Sequence, residues 1–108
     1  MLRAIAFCID ELGQVASFEG ATLVRVYQRC LGSWEAVRDV PLALDIGALG
    51  VALKDCAALV GEEIGSRLQA DLESLGLRVW ELPGDPQELA EVVWKDDFPV
   101  LAPPQQLA

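Results

Sequence analysis

Residues 56–82, CAALVGEEIGSRLQADLESLGLRVWEL, read as a buried strand, a loop flanked by glycines, a short amphipathic helix, a glycine stop and a second strand. Ala57-Ala58-Leu59-Val60 is short, apolar and closed by Gly61, as a strand covered on both faces should be. Ser66, with Gln69 three residues on, has the spacing of a capping box, so the helix is expected to start there. Ile64, Leu68, Leu72 and Leu75 then fall on one face, and Gly76 supplies the left-handed residue that ends the helix. Leu77 to Leu82 resumes an extended pattern before the Pro83-Gly84 turn. A strand–helix–strand unit of this kind makes its two strands parallel. The loop formed by Gly61, Glu62, Glu63, Ile64 and Gly65 therefore sits at the carboxyl end of a parallel strand, where open α/β sheets bind ligands.

The order of elements extends outward from this unit. Ala4-Ile5-Ala6-Phe7-Cys8-Ile9 is almost wholly apolar and reads as a central strand, followed by a turn at Asp10-Glu11-Leu12-Gly13 and a short edge strand over 14–18. From Thr22 to Arg29 the pattern alternates, with Leu23, Arg25, Tyr27 and Arg29 on one side and Val24 and Val26 on the other. Leu31-Gly32-Ser33 then turns the chain into an antiparallel return from Trp34 to Val40. Asp45 caps a helix carrying Ile46, Leu49 and Leu53, whose small residues (Gly47, Ala48, Gly50, Ala52) suit a close approach to the strands. Asp85-Pro86 opens a last helix with Leu89, Val92 and Val93 facing inward. The periodicity stops after Trp94. One domain is therefore expected over 1–94, and a Pro-rich tail, extended or flexible, over 95–108. The fold class is α/β: a mixed sheet with antiparallel N-terminal strands, then parallel β-α-β units, and helices packed on the sheet.

Composition limits the chemistry. The chain has 108 residues, 53% of them hydrophobic, with no apolar run of membrane-spanning length and no signal-peptide cleavage pattern at its start; a cytoplasmic compartment is expected. Seventeen acidic against eight basic residues give a net charge of −9, which repels nucleic-acid phosphates. The absence of His removes the commonest general base and metal ligand. Cys8, Cys30 and Cys56 are scattered, with no CxxC pair, and read as reduced thiols. Cys8 and Cys56 fit the core. Cys30 ends a strand beside a hairpin turn, next to Arg29, and is either a thiolate favoured by that charge or a residue packed on Trp34. Asp10, Glu62 and Glu63 belong to neighbouring strand ends and would form either a divalent-metal site or a set of solvated loop charges. Trp80 is expected in the core, and Trp34 and Trp94 as interface anchors or lids over it.

This order of elements, together with Cys56-Ala57-Ala58-Leu59-Val60, Glu63-Ile64-Gly65 and Gly76-Leu77-Arg78-Val79, resembles the nitrogenase cofactor-biosynthesis domain of NifX, NafY and the C-terminal part of NifB over residues 3–94. A closer similarity is to the Fe-only nitrogenase accessory family AnfO. It is carried by Ile9-Asp10-Glu11-Leu12-Gly13-Gln14 with Val15-Ala16-Ser17-Phe18, by Gly32-Ser33-Trp34-Glu35, and by Val79-Trp80-Glu81-Leu82-Pro83-Gly84 with Pro86-Gln87-Glu88-Leu89. The resemblance implies a ribonuclease-H-like fold and a non-enzymatic accessory protein of nitrogenase maturation. Such a protein holds, carries or hands over an iron–sulfur cofactor or its precursor, or docks on the apo-enzyme. Its partners would be a nitrogenase component or other maturation proteins. The His-Phe-Gly-like word that follows the first strand in such domains is echoed by Ser17-Phe18-Glu19-Gly20, and a cofactor-binding His has no counterpart. The expected cofactor-binding residues are Cys30, Gly61, Glu62, Glu63, Gly65 and Ser66. Two alternatives stand beside this reading: a protein–protein adaptor that never touches a cofactor, and a carboxylate-metal hydrolase on the same scaffold.

Overall fold

The computed structural model describes residues 4–42 and 45–101, the last six by their main chain. Five strands and three helices follow in the order β1 (Ala4–Ile9), β2 (Leu23–Cys30), β3 (Ser33–Pro41), α1 (Ile46–Ala52), β4 (Cys56–Gly61), α2 (Ser66–Ser74), β5 (Arg78–Glu81) and α3 (Pro86–Leu101). They form one mixed sheet of order β3-β2-β1-β4-β5. β2 runs antiparallel to both its neighbours, whereas β4 is parallel to β1 and β5 is parallel to β4.

β1 and β4 are buried along their whole length, which requires a helix layer on each side. Alternation divides β1 between the layers. Ala4, Ala6 and Cys8 join Leu49 and Leu53 at α1 and Leu72 of α2 on one face. Ile5, Phe7 and Ile9 meet Ala90, Val93 and Trp94 of α3 on the other. The small residues of β1 lie under two helices and its large ones under a single helix, so side-chain size matches the space on each face.

Local signals explain most boundaries. Asp45 caps α1, its carboxylate accepting from Ala48 N at 2.8 Å. Gly50 of that helix closes on Leu75, after α2, rather than on the strands: a Cβ there would stand 2.6 Å from Leu75 Cδ1. At the end of α2, Gly76 has φ 94°. Its N–H donates to Glu73 O, while Leu77 N–H donates back to Leu72 O at 3.2 Å, closing a Schellman motif that seats Leu77 in the core. The hairpin between β2 and β3 turns on Leu31 and Gly32, both at positive φ, with Leu31 fully exposed. In β3 the pairing shifts by one residue, and Val37 is the extra residue of a bulge.

Three expected elements come out differently. Residues 14–18 form no edge strand; Val15 makes one bridge to Ile9, and the segment crosses the ends of β1 and β4 instead of flanking the sheet. Val92 is exposed, because the buried stripe of α3 runs through Ala90, Val93 and Trp94, and Val92 lies about 200° round the helix from Ala90. The helix also continues past Trp94 to Leu101. Pro99 falls within its last turn. The rest of the expected tail, 102–108, lies outside the described residues.

The three thiols differ sharply. Cys8 and Cys56 are buried, and burial pushes the Cys8 thiol up to about 12, so it stays protonated. Cys30 is half-buried at the end of β2. Cys8→Ser is therefore expected to destabilise the fold by about 1–3 kcal/mol by placing a hydroxyl in an apolar layer. Cys30→Ser should fall within about 0.5 kcal/mol of the parent, as other surface substitutions do. Denaturant melts of the two variants check this, and equal destabilisation would put Cys30 in the core.

Candidate functional site

Parallel pairing brings the carboxyl ends of β1 and β4 to the same end of the sheet, and the segment after β1 is fastened across them. Ala16 N–H donates to Cys8 O at 2.9 Å, Glu62 N–H to Ala16 O at 2.9 Å, and Phe18 N–H to Glu63 O at 2.8 Å. Leu82 N–H donates to Gly61 O from the far side. A Cβ on Gly61 would stand 3.3 Å from Ala16 O and 3.1 Å from Ile64 Cγ1, so a side chain at this strand end would press on the join between the two loops. Ile64 plugs the join from above and is buried in the layer beneath α1 and α2.

The start of α2 is not built as the sequence suggests. Gly65 occupies the N-cap at φ 95° and ψ 143° with no side-chain cap of its own, and Ser66 is the first helical residue. The capping acceptor arrives from β5. Glu81 Oε2 accepts from Ile64 N at 2.8 Å and from Gly65 N at 3.2 Å. These two backbone donors hold the Glu81 carboxyl below its ordinary range. Negative charge at a helix N-terminus also suits the helix dipole.

An open groove of about 480 Å³ lies between the fastened loop and α2, with Phe18, Ile64 and Leu68 as its apolar lining and Glu19, Arg67 and Asp71 among its polar edges. A smaller recess of about 150 Å³ adjoins it, lined by Ser17 and Glu63 as well as by Phe18 and Ile64. Gly65 and Ser66 line the groove, so three of the expected residues, Glu63, Gly65 and Ser66, meet there together with Phe18 and Glu19 of the Ser17-Phe18-Glu19-Gly20 word. A further groove of about 510 Å³ runs along the entry to β5, beside Gly76 and Trp80, away from these loops.

Other expected residues stay apart. Asp10 turns inward on its own loop, its Oδ1 accepting from Leu12 N at 2.8 Å and Gln14 N at 3.1 Å, so its carboxylate is engaged away from Glu62 and Glu63. Among the described residues no three His, Cys, Asp or Glu side chains come close enough to hold a metal ion. Cys30 lies at the opposite end of the sheet. Gly61 is level with Cys8, which pairs with Val24, and Cys30 is six residues further along β2, or about 20 Å at the usual strand rise. No single small ligand spans Cys30 and the loop residues.

Cys30 instead adjoins a tie between the hairpin and α3. Trp34 Nε1–H donates to Glu91 Oε2 at 2.8 Å, Gln87 Nε2–H donates to Trp34 O at 2.9 Å, and Arg29 lies 3.6 Å from Glu91 and over the Trp94 ring. Trp34 and Trp94 meet edge to face at 6.1 Å and close the core beneath α3. Trp80 is half-buried against that layer. Sequence reading passed over Glu81, Arg67 and Asp71. For Glu81 the available signal was its position at the end of a parallel strand beside a glycine-flanked loop.

Two variants test how the loop is held. Gly65→Val should destabilise by about 1–3 kcal/mol through backbone strain, since nothing lies within 4 Å of the added Cβ. Glu81→Ala should keep the fold while amide exchange at Ile64 and Gly65 accelerates. Because the Glu81 pKa is lowered in the fold, its contribution is complete at neutral pH and is lost as pH falls below the ordinary carboxylate range. Exchange at the two amides should accelerate in the parent over that same acid window; amides indifferent to both changes would mean that Glu81 does not hold the loop.

The family described as iron-only nitrogenase protein AnfO matches residues 4–106. No curated protein matches the chain. Solved structures share the fold at low identity. The crystal structure of PH0822 is similar at TM-score 0.65 and 19% identity, over 86% of this chain and 91% of that one. A Methanocaldococcus jannaschii protein assigned by name as a dinitrogenase is similar at TM-score 0.68 and 9% identity, over 90% and 92%. A Thermotoga protein assigned by name to NifB and to the DUF35 family is similar at TM-score 0.54 and 17% identity, over 87% and 88%. With nearly its whole length matched, this chain belongs to the AnfO family of iron-only nitrogenase proteins.

Proposed function

We propose that this chain is a non-catalytic accessory domain of nitrogenase maturation, with one end of its sheet built for docking and the other for cargo. Family membership over residues 4–106 carries the accessory role, and the names of two structural relatives agree with it. The sheet order, with β2 alone reversed relative to the other strands, supports a ribonuclease-H-like assignment of the fold. The loop end, with Gly61, Glu62, Glu63, Gly65 and Ser66, docks on a nitrogenase component or another maturation protein. Its main-chain fastening supports this, since a preformed surface loses little entropy on association. The cargo is an iron–sulfur cofactor or its precursor. Cys30 is the candidate ligand, because Cys8 and Cys56 are withdrawn into the core while Cys30 is only half-buried. The hydrolase reading has less support, since Asp10 Oδ1 already accepts two bonds from its own turn.

The test is anaerobic incubation of the purified chain with iron–sulfur cofactor extracted from nitrogenase, read by charge-transfer absorbance, alongside size-exclusion chromatography with purified apo-nitrogenase. Absorbance that co-migrates with the protein and falls in Cys30→Ser is the expected result. A complex with apo-nitrogenase but no absorbance would make the chain an adaptor without cofactor contact. The absence of both signals would overturn the accessory reading.

A further inference from the structure

We propose that the groove between residues 17–19 and α2 receives a basic segment of a partner protein, with an apolar side chain of that segment seated on Phe18, Ile64 and Leu68. This deepens the accessory reading by giving the chemistry of what docks at the loop end. The starting point is the groove itself. Its volume of about 480 Å³ and its open shape suit one or two side chains entering from a surface rather than an enclosed small molecule. Phe18 and Leu68 are only partly buried, so each keeps apolar surface that a partner can cover. The groove exists before binding, because Phe18 N–H to Glu63 O and Glu62 N–H to Ala16 O hold one wall, and Glu81 holds the start of α2.

Charge decides the occupant. Glu19, Glu63 and Asp71 edge the groove and its recess, against Arg67. The whole chain carries −9, so the long-range field adds to the local one. A cationic segment is drawn in by both the local and the long-range field, and its apolar anchor gains from burial on Phe18 and Leu68.

The test uses the full chain, isotopically labelled, titrated with the synthetic peptide Lys-Arg-Leu-Phe-Lys-Arg, blocked at both ends. One control peptide replaces Leu-Phe by Ser-Ser, and a second replaces every cation by Glu. Amide shifts are expected at Phe18, Glu19 and residues 64–71. Affinity should be about tenfold above the Ser-Ser control, fall as salt is raised, and drop about tenfold in Glu19→Lys/Asp71→Lys, whose amide spectrum reports its fold. Shifts that map elsewhere, equal binding of the Ser-Ser peptide, or tighter binding of the acidic peptide would each overturn the proposal. Purified nitrogenase components separate it from the reading above. If they bind the parent and the double variant alike, the groove is not the docking surface and the accessory role stands. If the peptide maps to the groove and no component binds, the groove stands and docking on nitrogenase components falls.

Discussion

The parallel contact between β1 and β4, at the centre of the sheet, governs the arrangement of everything else. Ala4 and Ile5 to Phe7 lie beside Cys56 and Ala58 to Val60, and every residue of both strands is out of water. Two strands buried on both faces oblige the chain to supply a layer above and a layer below, and α1 and α2 on one side and α3 on the other do so. The same contact places two carboxyl ends side by side. The loops that leave them can then be bonded to each other, which an antiparallel pair at the centre would have prevented.

That bonding ties the loop end to the sheet through its own main chain. Ordinary loops rely on water for many of their backbone partners. Here Ala16 alone engages through both its N–H and its C=O, to Cys8 and Glu62, and β5 lends a carboxylate to the start of α2. The hairpin end is held by a different device, an indole–carboxylate–guanidinium contact in which Glu91 serves both Trp34 and Arg29. Because the two devices share no residue and stand at opposite ends of the sheet, a change at one should reach the other only through the rigid strands between them.

The sequence announced elements that depend on near neighbours and concealed arrangements that depend on distant ones. Ala4 to Ile9, Cys56 to Val60 and the Gly76 stop were legible because burial on two faces writes a continuous apolar run, and a left-handed residue writes a glycine. The family words were legible for the same local reason. Ser66 was misleading because a capping-box spacing says nothing of an acceptor 15 residues further on: Glu81 reaches from another strand to Ile64 N and Gly65 N, and the cap falls on Gly65. Residues 14–18 lie across strand ends, a placement set by main-chain bonds to Cys8, Glu62 and Glu63 rather than by their own pattern. Of the candidate site, the nearness of Glu63, Gly65 and Ser66 could be read locally, Glu63 lining a recess that adjoins the groove at Gly65 and Ser66, whereas the separation of Cys30 from them follows from register, which no single segment encodes.

The bulge at Val37 bears on the life of the protein in a crowded cell. β3 is a nine-residue strand at the margin of the sheet, and an open margin of that length invites stacking of copies into fibrils. The extra residue breaks the regular row of backbone donors and acceptors near the middle of the strand, and Glu35, Arg38 and Asp39 set charge on either side of the break. A misaligned, charged margin is a poor template for another strand. A protein whose core strands are as apolar as Ala4 to Ile9 can in this way be made in quantity without its most exposed strand seeding aggregates.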